Sequence, residues 1–253
     1  MRYLGVDLAW GPRATTGIAA VNASGELLHL APVGPDDAIF ALLRSWAPDA
    51  CLIAFDAPLV VKNLTGKRDC ERLVTKYFGG YNAGCHPSNL SMPHFAEGPR
   101  AMRICTELGL DFDPSSTSRR RAIEVYPHPA IVSLFNLSRI VQYKHKSGRS
   151  FEFLREESIR LIGMIESLQS APVQLLVTAH PDWMSLRQSV EHATRKVELK
   201  RVEDCIDAVI CAYVALLVDQ APDDLRVIGD MASGYIVTPV SAEVARAIDA
   251  DGG

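Results

Sequence analysis

No apolar run in this sequence approaches the ~20 residues that a membrane-spanning helix requires, which argues against an integral membrane protein. Nor does the chain open with the charged, apolar and small-residue order of a signal peptide; a strand-like segment begins at Arg2. None of the six cysteines forms a CxxC pair, and most sit inside apolar runs. That is the pattern of reduced thiols rather than a disulfide framework, and it implies a cytoplasmic location. Positive charge is not in excess either. A net charge of −4 argues against non-specific nucleic-acid binding over the whole surface and leaves room for a local basic groove. There is no internal repeat and no low-complexity segment. What remains is an ordinary globular composition, 48% apolar and 22% charged over 253 residues. It suits one large α/β domain, or one with a sizeable insertion.

The N-terminal third reads as strands over Arg2 to Trp10, Thr15 to Val21 and Leu27 to Ala31, with the turn residues Asn22-Ala-Ser-Gly25 between the last two. Gly34-Pro35-Asp36-Asp37 starts a helix with Ile39, Leu42, Leu43 and Trp46 at helical spacing. Cys51 to Asp56 is a continuous apolar strand of the doubly covered, parallel type. Residues 61–120 turn irregular, rich in Gly, Pro, Asn and His, and read as an insertion with helices near Cys70 to Phe78 and Arg100 to Leu108. A strand over Arg121 to Val125 follows, then helices over Ala130 to Phe135, Phe151 to Leu168, Trp183 to Arg195 and Glu198 to Val218. Short strands at Leu225 to Ile228 and Tyr235 to Val237 close the pattern.

Four acids stand where packing alone would not put them. Asp7 ends the apolar run Tyr3-Leu4-Gly5-Val6, and Asp56 ends Cys51-Leu52-Ile53-Ala54-Phe55. Asp204 and Asp207 lie three apart, hence on one face, of a helix that is apolar on every side from Ala208 to Val218. Such a helix is buried, and a carboxylate on it costs several kcal/mol unless something neutralises it. A divalent cation shared with Asp7 and Asp56 is one partner. A buried base is the other, with Lys200 and Arg201 nearest on the same helix. Asp204 also fits an ordinary acid near a helix N-terminus.

Gly5-Val6-Asp7-x-Ala9, Asp56-Ala57-Pro58-Leu59, Glu124-Val125-Tyr126-Pro127, and Lys200 to Asp204 with Asp207-Ala208 form an ordered series. With the ending Gly229, Gly234-Tyr235-Ile236-Val237 and Pro239, it resembles the DUF429 group of predicted nucleases in the ribonuclease H-like superfamily, over nearly the whole chain. The resemblance implies a single domain over 1–253, with 61–120 inserted, built on a ribonuclease H-like mixed sheet flanked by helices. It also implies phosphodiester hydrolysis on a nucleic-acid partner. Two Mg²⁺ or Mn²⁺ ions about 3.5–4 Å apart would activate water and stabilise the phosphoryl and leaving oxygens, held by carboxylate oxygens as hard cations require. Asp7 is then the shared metal bridge, with Asp56 and Asp207 as further ligands. Asp204 is a ligand or orients the attacking water. Glu124 is an added ligand or supports one, and Lys200 contacts a phosphate.

Arg119-Arg120-Arg121 and the segment Lys144 to Arg149 are further candidates for phosphate contacts, Arg121 and Lys144 foremost. Tyr77, Phe78 and Tyr81 are either base-stacking residues or core and loop anchors. Cys70, Cys85, His86, His94 and Cys105 match no familiar zinc spacing and read as isolated thiols and loop histidines. Two rival functions stay open. An actin- or sugar-kinase-like ATP-binding protein would want a tight Gly/Thr-rich phosphate hairpin after Asp7, where Pro12 and Arg13 stand. A non-catalytic nucleic-acid-binding module would keep the acids for holding rather than cutting.

Overall fold

Short apolar runs bounded by turn residues build the central sheet: β1 (Arg2–Asp7), β2 (Thr16–Asn22), β3 (Leu27–Val33), β4 (Cys51–Asp56) and β5 (Arg120–Glu124). The computed structural model describes the chain apart from residues 10, 12, 13, 252 and 253. The strands stand in the order β3-β2-β1-β4-β5; β2 is antiparallel to β1 and β3, whereas β1, β4 and β5 run parallel. This is the ribonuclease H-like mixed sheet that the sequence implies. Trp10, the expected end of β1, lies outside the described residues, as do the Pro12 and Arg13 of the kinase comparison; β1 itself ends at Asp7.

Turn chemistry closes the meander as expected. Asn22 Oδ1 accepts hydrogen bonds from the Ser24 and Glu26 amides. Gly25 takes φ 78°, and a Cβ there would lie 1.9 Å from the Gln174 carbonyl oxygen. β3 continues through Pro32, beyond its expected end. A proline without an N–H is tolerated because β3 is the sheet edge.

Eight α-helices are present among the described residues: α1 (Asp36–Trp46), α2 (Asp69–Phe78), α3 (Arg100–Leu108), α4 (Pro127–Leu134), α5 (Phe151–Ser167), α6 (Pro181–Glu191), α7 (Lys196–Gln220) and α8 (Ala242–Ala250). Ser150 and Ser241 cap α5 and α8 by accepting from the Phe153 and Val244 amides. α7 lies across β1, β2 and β4. Two glycines allow its close approach: a Cβ at Gly5 would meet the Ala208 carbonyl oxygen at 1.9 Å, and one at Gly17 the Asp204 carbonyl oxygen at 2.0 Å. Strand side chains alternate between faces, so Tyr3, Gly5 and Asp7 share the α7 face while Leu4 and Val6 point away. Tyr3 accordingly donates its hydroxyl proton to Asp219 of α7 at 3.0 Å. Leu4 and Val6 are nevertheless fully buried, so a second layer covers the far face.

Residues 61–120 contain the two expected helices, α2 and α3. α2 packs on an antiparallel hairpin of β6 (Leu225–Asp230) and β7 (Gly234–Pro239). That hairpin joins the main sheet through a parallel bridge between Val125 and Val237. Phe78 is fully buried in the core, and Tyr77 donates to Asp251, so these two aromatics are anchors.

Candidate metal centre

Register brings the first two acids together. β1 and β4 pair in parallel with Asp7 opposite Asp56 and Gly5 opposite Ala54, so both carboxylates leave the same ends of neighbouring strands on the α7 face. The close contact at Gly5 and Ala208 sets the helix so that Asp207 reaches the same point. Ligand oxygens of Asp7, Asp56 and Asp207 all lie within 4.8 Å of one another. Asp207 is completely buried. One turn earlier, Asp204 lines the cavity in front of this triad, where Oδ2 accepts from Thr15 Oγ1 at 2.8 Å. The loop carrying Thr15 is held by Arg100 Nη1 donating to the Ala9 carbonyl at 2.7 Å and by the Ala9 amide donating to Thr16 Oγ1 at 3.2 Å.

The partner of Asp207 is not on its own helix. Tyr143 donates to Asp207 Oδ1, and the Lys144 ammonium lies against Oδ2. Lys200, the nearer base in sequence, instead pairs with Glu203 at 2.8 Å, and its distance to Asp204 is 3.7 Å. Glu203 Oε1 also accepts from the His145 amide at 2.9 Å, and Arg149 donates to the Gln142 and Lys144 carbonyls. Lys144 is therefore a built-in counter-ion, delivered by a loop tied to α7 and to itself. Two cues to it stand in the sequence: Asp207 needs a buried base, and Lys144 lies three residues after the apolar pair Ile140-Val141.

One lysine does not balance three carboxylates. Burial, and then Asp56, Asp207 and Asp204, push Asp7 well above the ordinary carboxylate range against the pull of Lys144. Burial likewise pushes Asp56 up to about 7. Burial opposes the charge on Lys144, but Asp207, Tyr143, Asp7 and Asp56 outweigh it and hold the ammonium protonated. Lys144 thereby answers Asp207, whereas no ion pair answers Asp7 or Asp56 among the described residues. The cluster thus lacks positive charge, and its donors are all oxygen, which suits a hard divalent cation.

Two expected site residues lie outside the triad, although Glu124 lines the same cavity. Glu124 pairs in register with Phe55, not with Asp56, so it emerges on the opposite face of the sheet. There Arg68 Nη1 and Nη2 reach its two oxygens at 2.9 and 2.5 Å, and the Leu59 amide donates at 2.8 Å. It is half of a buried ion pair rather than a member of the triad. Arg121 lies at the start of β5, at the other end of the sheet, where it binds Asp219 at 2.6 Å. Arg120 beside it donates to the carbonyls of Ala47, Asp49 and Leu108. This arginine run braces structure far from the acids.

The triad opens on a cavity of about 620 Å³ whose lining includes Lys144, Lys200 and Asp204. The lining also holds Cys85 and His86 from residues 61–120, and Tyr126 and His128 from the start of α4. The sequence had marked Tyr126 only as part of a motif and His128 not at all. A cavity of this size suits a small molecule or one or two nucleotide units.

The family model described as "Protein of unknown function (DUF429)" matches residues 5–232, and the chain belongs to that family. No curated protein and no solved structure matches it.

Proposed function

We propose that this DUF429 chain is a divalent-metal-dependent phosphodiesterase, with a nucleic-acid strand or strand end as the preferred substrate. The observation that carries this reading is the convergence of Asp7, Asp56 and Asp207 from two strands and a helix, with ligand oxygens within 4.8 Å of one another. Asp7, at the centre of the charge deficit, and Asp56 and Asp207 beside it would hold Mg²⁺ or Mn²⁺. The bound cation would supply charge stabilisation at the phosphoryl oxygens and a more acidic water. Asp204, fixed by Thr15, faces the cavity and orients a water or a further ligand. Lys200 at the cavity rim offers an ammonium to a phosphate. Lys144 neutralises part of the cluster before a cation arrives, and its side chain is 32% exposed, enough to turn toward a substrate phosphate afterwards.

No helix among the described residues is long and apolar enough to cross a membrane. All six cysteines are free, which supports a reducing, cytoplasmic setting. One observation favours a second reading, a non-catalytic module: Tyr143 and Lys144 give the buried Asp207 partners from the chain itself.

Calorimetric titration of Mg²⁺ and Mn²⁺ separates the two. The wild type binds saturably and the Asp7→Asn/Asp207→Asn double variant does not, and a labelled oligonucleotide is cut only by the former. No binding to the wild type, with or without a non-cleavable oligonucleotide, refutes the metal centre.

A further inference from the structure

The cavity lining carries a histidine, His128, whose protonation is dictated by its neighbours. Tyr126 Oη lies 2.9 Å from His128 Nδ1 and 3.4 Å from the Gly84 carbonyl oxygen. A carbonyl only accepts, and a phenol has one proton to give. Both contacts are made together in one arrangement alone: Tyr126 donates to Gly84, and His128 Nδ1–H donates to Tyr126. Nε2 is then left with a bare lone pair. It makes no hydrogen bond to any described residue, and the ring lines the cavity. The ring is also braced edge-on against Tyr143, at 6.2 Å between centroids.

We propose that His128 is the proton acceptor of this cavity, held as its Nδ1–H tautomer by Tyr126 and Gly84. The ring is neutral in the resting protein. Burial, and then the positive charges of Lys144, His86 and Arg149, set its pKa well below that of a free imidazole. Its place in the first turn of α4 acts the same way, because a helix N-terminus disfavours a cation. Tyr126 is the positioning residue, acting only through the ring. Gly84 belongs to residues 61–120, which gives that insertion a part in the chemistry.

The substrate of this acceptor rests on the phosphodiesterase reading. A water in the cavity gives one proton to Nε2 as its oxygen bonds to phosphorus. The ester P–O bond breaks, and the imidazolium returns the proton to the departing oxygen. Water and a diester become a monoester and an alcohol, with the ring unchanged. His128 presents an acceptor and no donor, so it favours a ligand that offers an O–H or N–H at this wall.

The test joins spectroscopy to kinetics. In the full chain labelled with ¹⁵N-histidine, the His128 ring is identified by its disappearance in His128→Gln. At pH 7 it should show a protonated Nδ1 and a bare Nε2, and Tyr126→Phe should lose this fixed tautomer. With bis(4-nitrophenyl) phosphate and Mn²⁺, His128→Gln should lower kcat by about 10²–10⁴-fold and remove the acid limb of the pH profile. A protonated Nε2, an imidazolium at pH 7, or a variant as fast as the wild type overturns the proposal. Should the wild type hydrolyse nothing, the phosphodiesterase reading fails, and the ring nitrogens still decide whether His128 is the acceptor.

Discussion

Removing the charge of Asp56 should stabilise the metal-free protein at neutral pH, contrary to the usual effect of altering a buried polar residue. Burial raises Asp56 from 3.8 to about 7, so between these values the folded state holds a proton that the unfolded chain has lost. Stability from this group is complete below pH 4 and is lost as pH rises through 7. Three pKa units at about 1.4 kcal/mol each give roughly 4 kcal/mol. His128 and His29, whose pKa values are lowered, contribute with the opposite sign near pH 6.5. The difference between wild type and Asp56→Asn cancels those contributions. Thermal unfolding in a chelator at pH 4.5 and pH 8 measures most of it: the variant should gain about 3 kcal/mol relative to wild type between the two, on the order of 10 °C for a chain of this size. Saturating Mg²⁺ or Mn²⁺ should reverse the order, because only the wild type keeps all three ligands. A gap that does not grow with pH would refute the claim that this carboxylate is forced toward its neutral form.

Other perturbations separate site from scaffold. Gly5→Ala places a methyl 1.9 Å from the Ala208 carbonyl; it should cost about 3 kcal/mol or more in unfolding free energy and weaken Mg²⁺ binding tenfold or more by lifting α7. Arg68→Met strands both Glu124 and Glu71 in the core and should cost about 3–5 kcal/mol in denaturant unfolding, whereas adding Glu124→Gln and Glu71→Gln together should recover most of it. Arg121→Ala should change stability by only about 1 kcal/mol or less and leave oligonucleotide affinity unchanged in a binding titration. An affinity loss there would return Arg121 to the substrate path.

Much of this was legible because burial leaves marks in sequence. An acid at the end of an apolar strand, as at Asp7 and Asp56, or on a helix apolar all round, as at Asp207, has few structural reasons to exist. Helices α2, α3 and α7 carried their own periodicity or continuity. Glu124 carried the same mark and does line the cavity, but a strand-end acid does not declare its face. Pairing with Phe55 rather than Asp56 is a one-residue difference in register, and with a period of two it reverses the side chain. Lys144 was hidden for another reason. A charge run reads as solvated surface, and only tertiary structure turns its first member inward while Lys146 stays exposed.

The same register that separates Glu124 from the acids gives the site its two walls of different character. On the α7 face, carboxylates crowd until two of them resist ionisation, a state relieved by adding positive charge from outside. On the far face, Arg68 answers Glu124 and Glu71 in a paired network that also borders the cavity, and it has no such need. An unbalanced buried cluster beside a balanced one, in the same chain and at the ends of adjacent strands, is hard to explain as a shortage of available bases. The chain places arginines freely at Arg68, Arg120 and Arg121 where structure requires them. At the triad it places one partly exposed lysine on a loop and gives Asp7 and Asp56 no base of their own, an arrangement that the proposed cation site would account for.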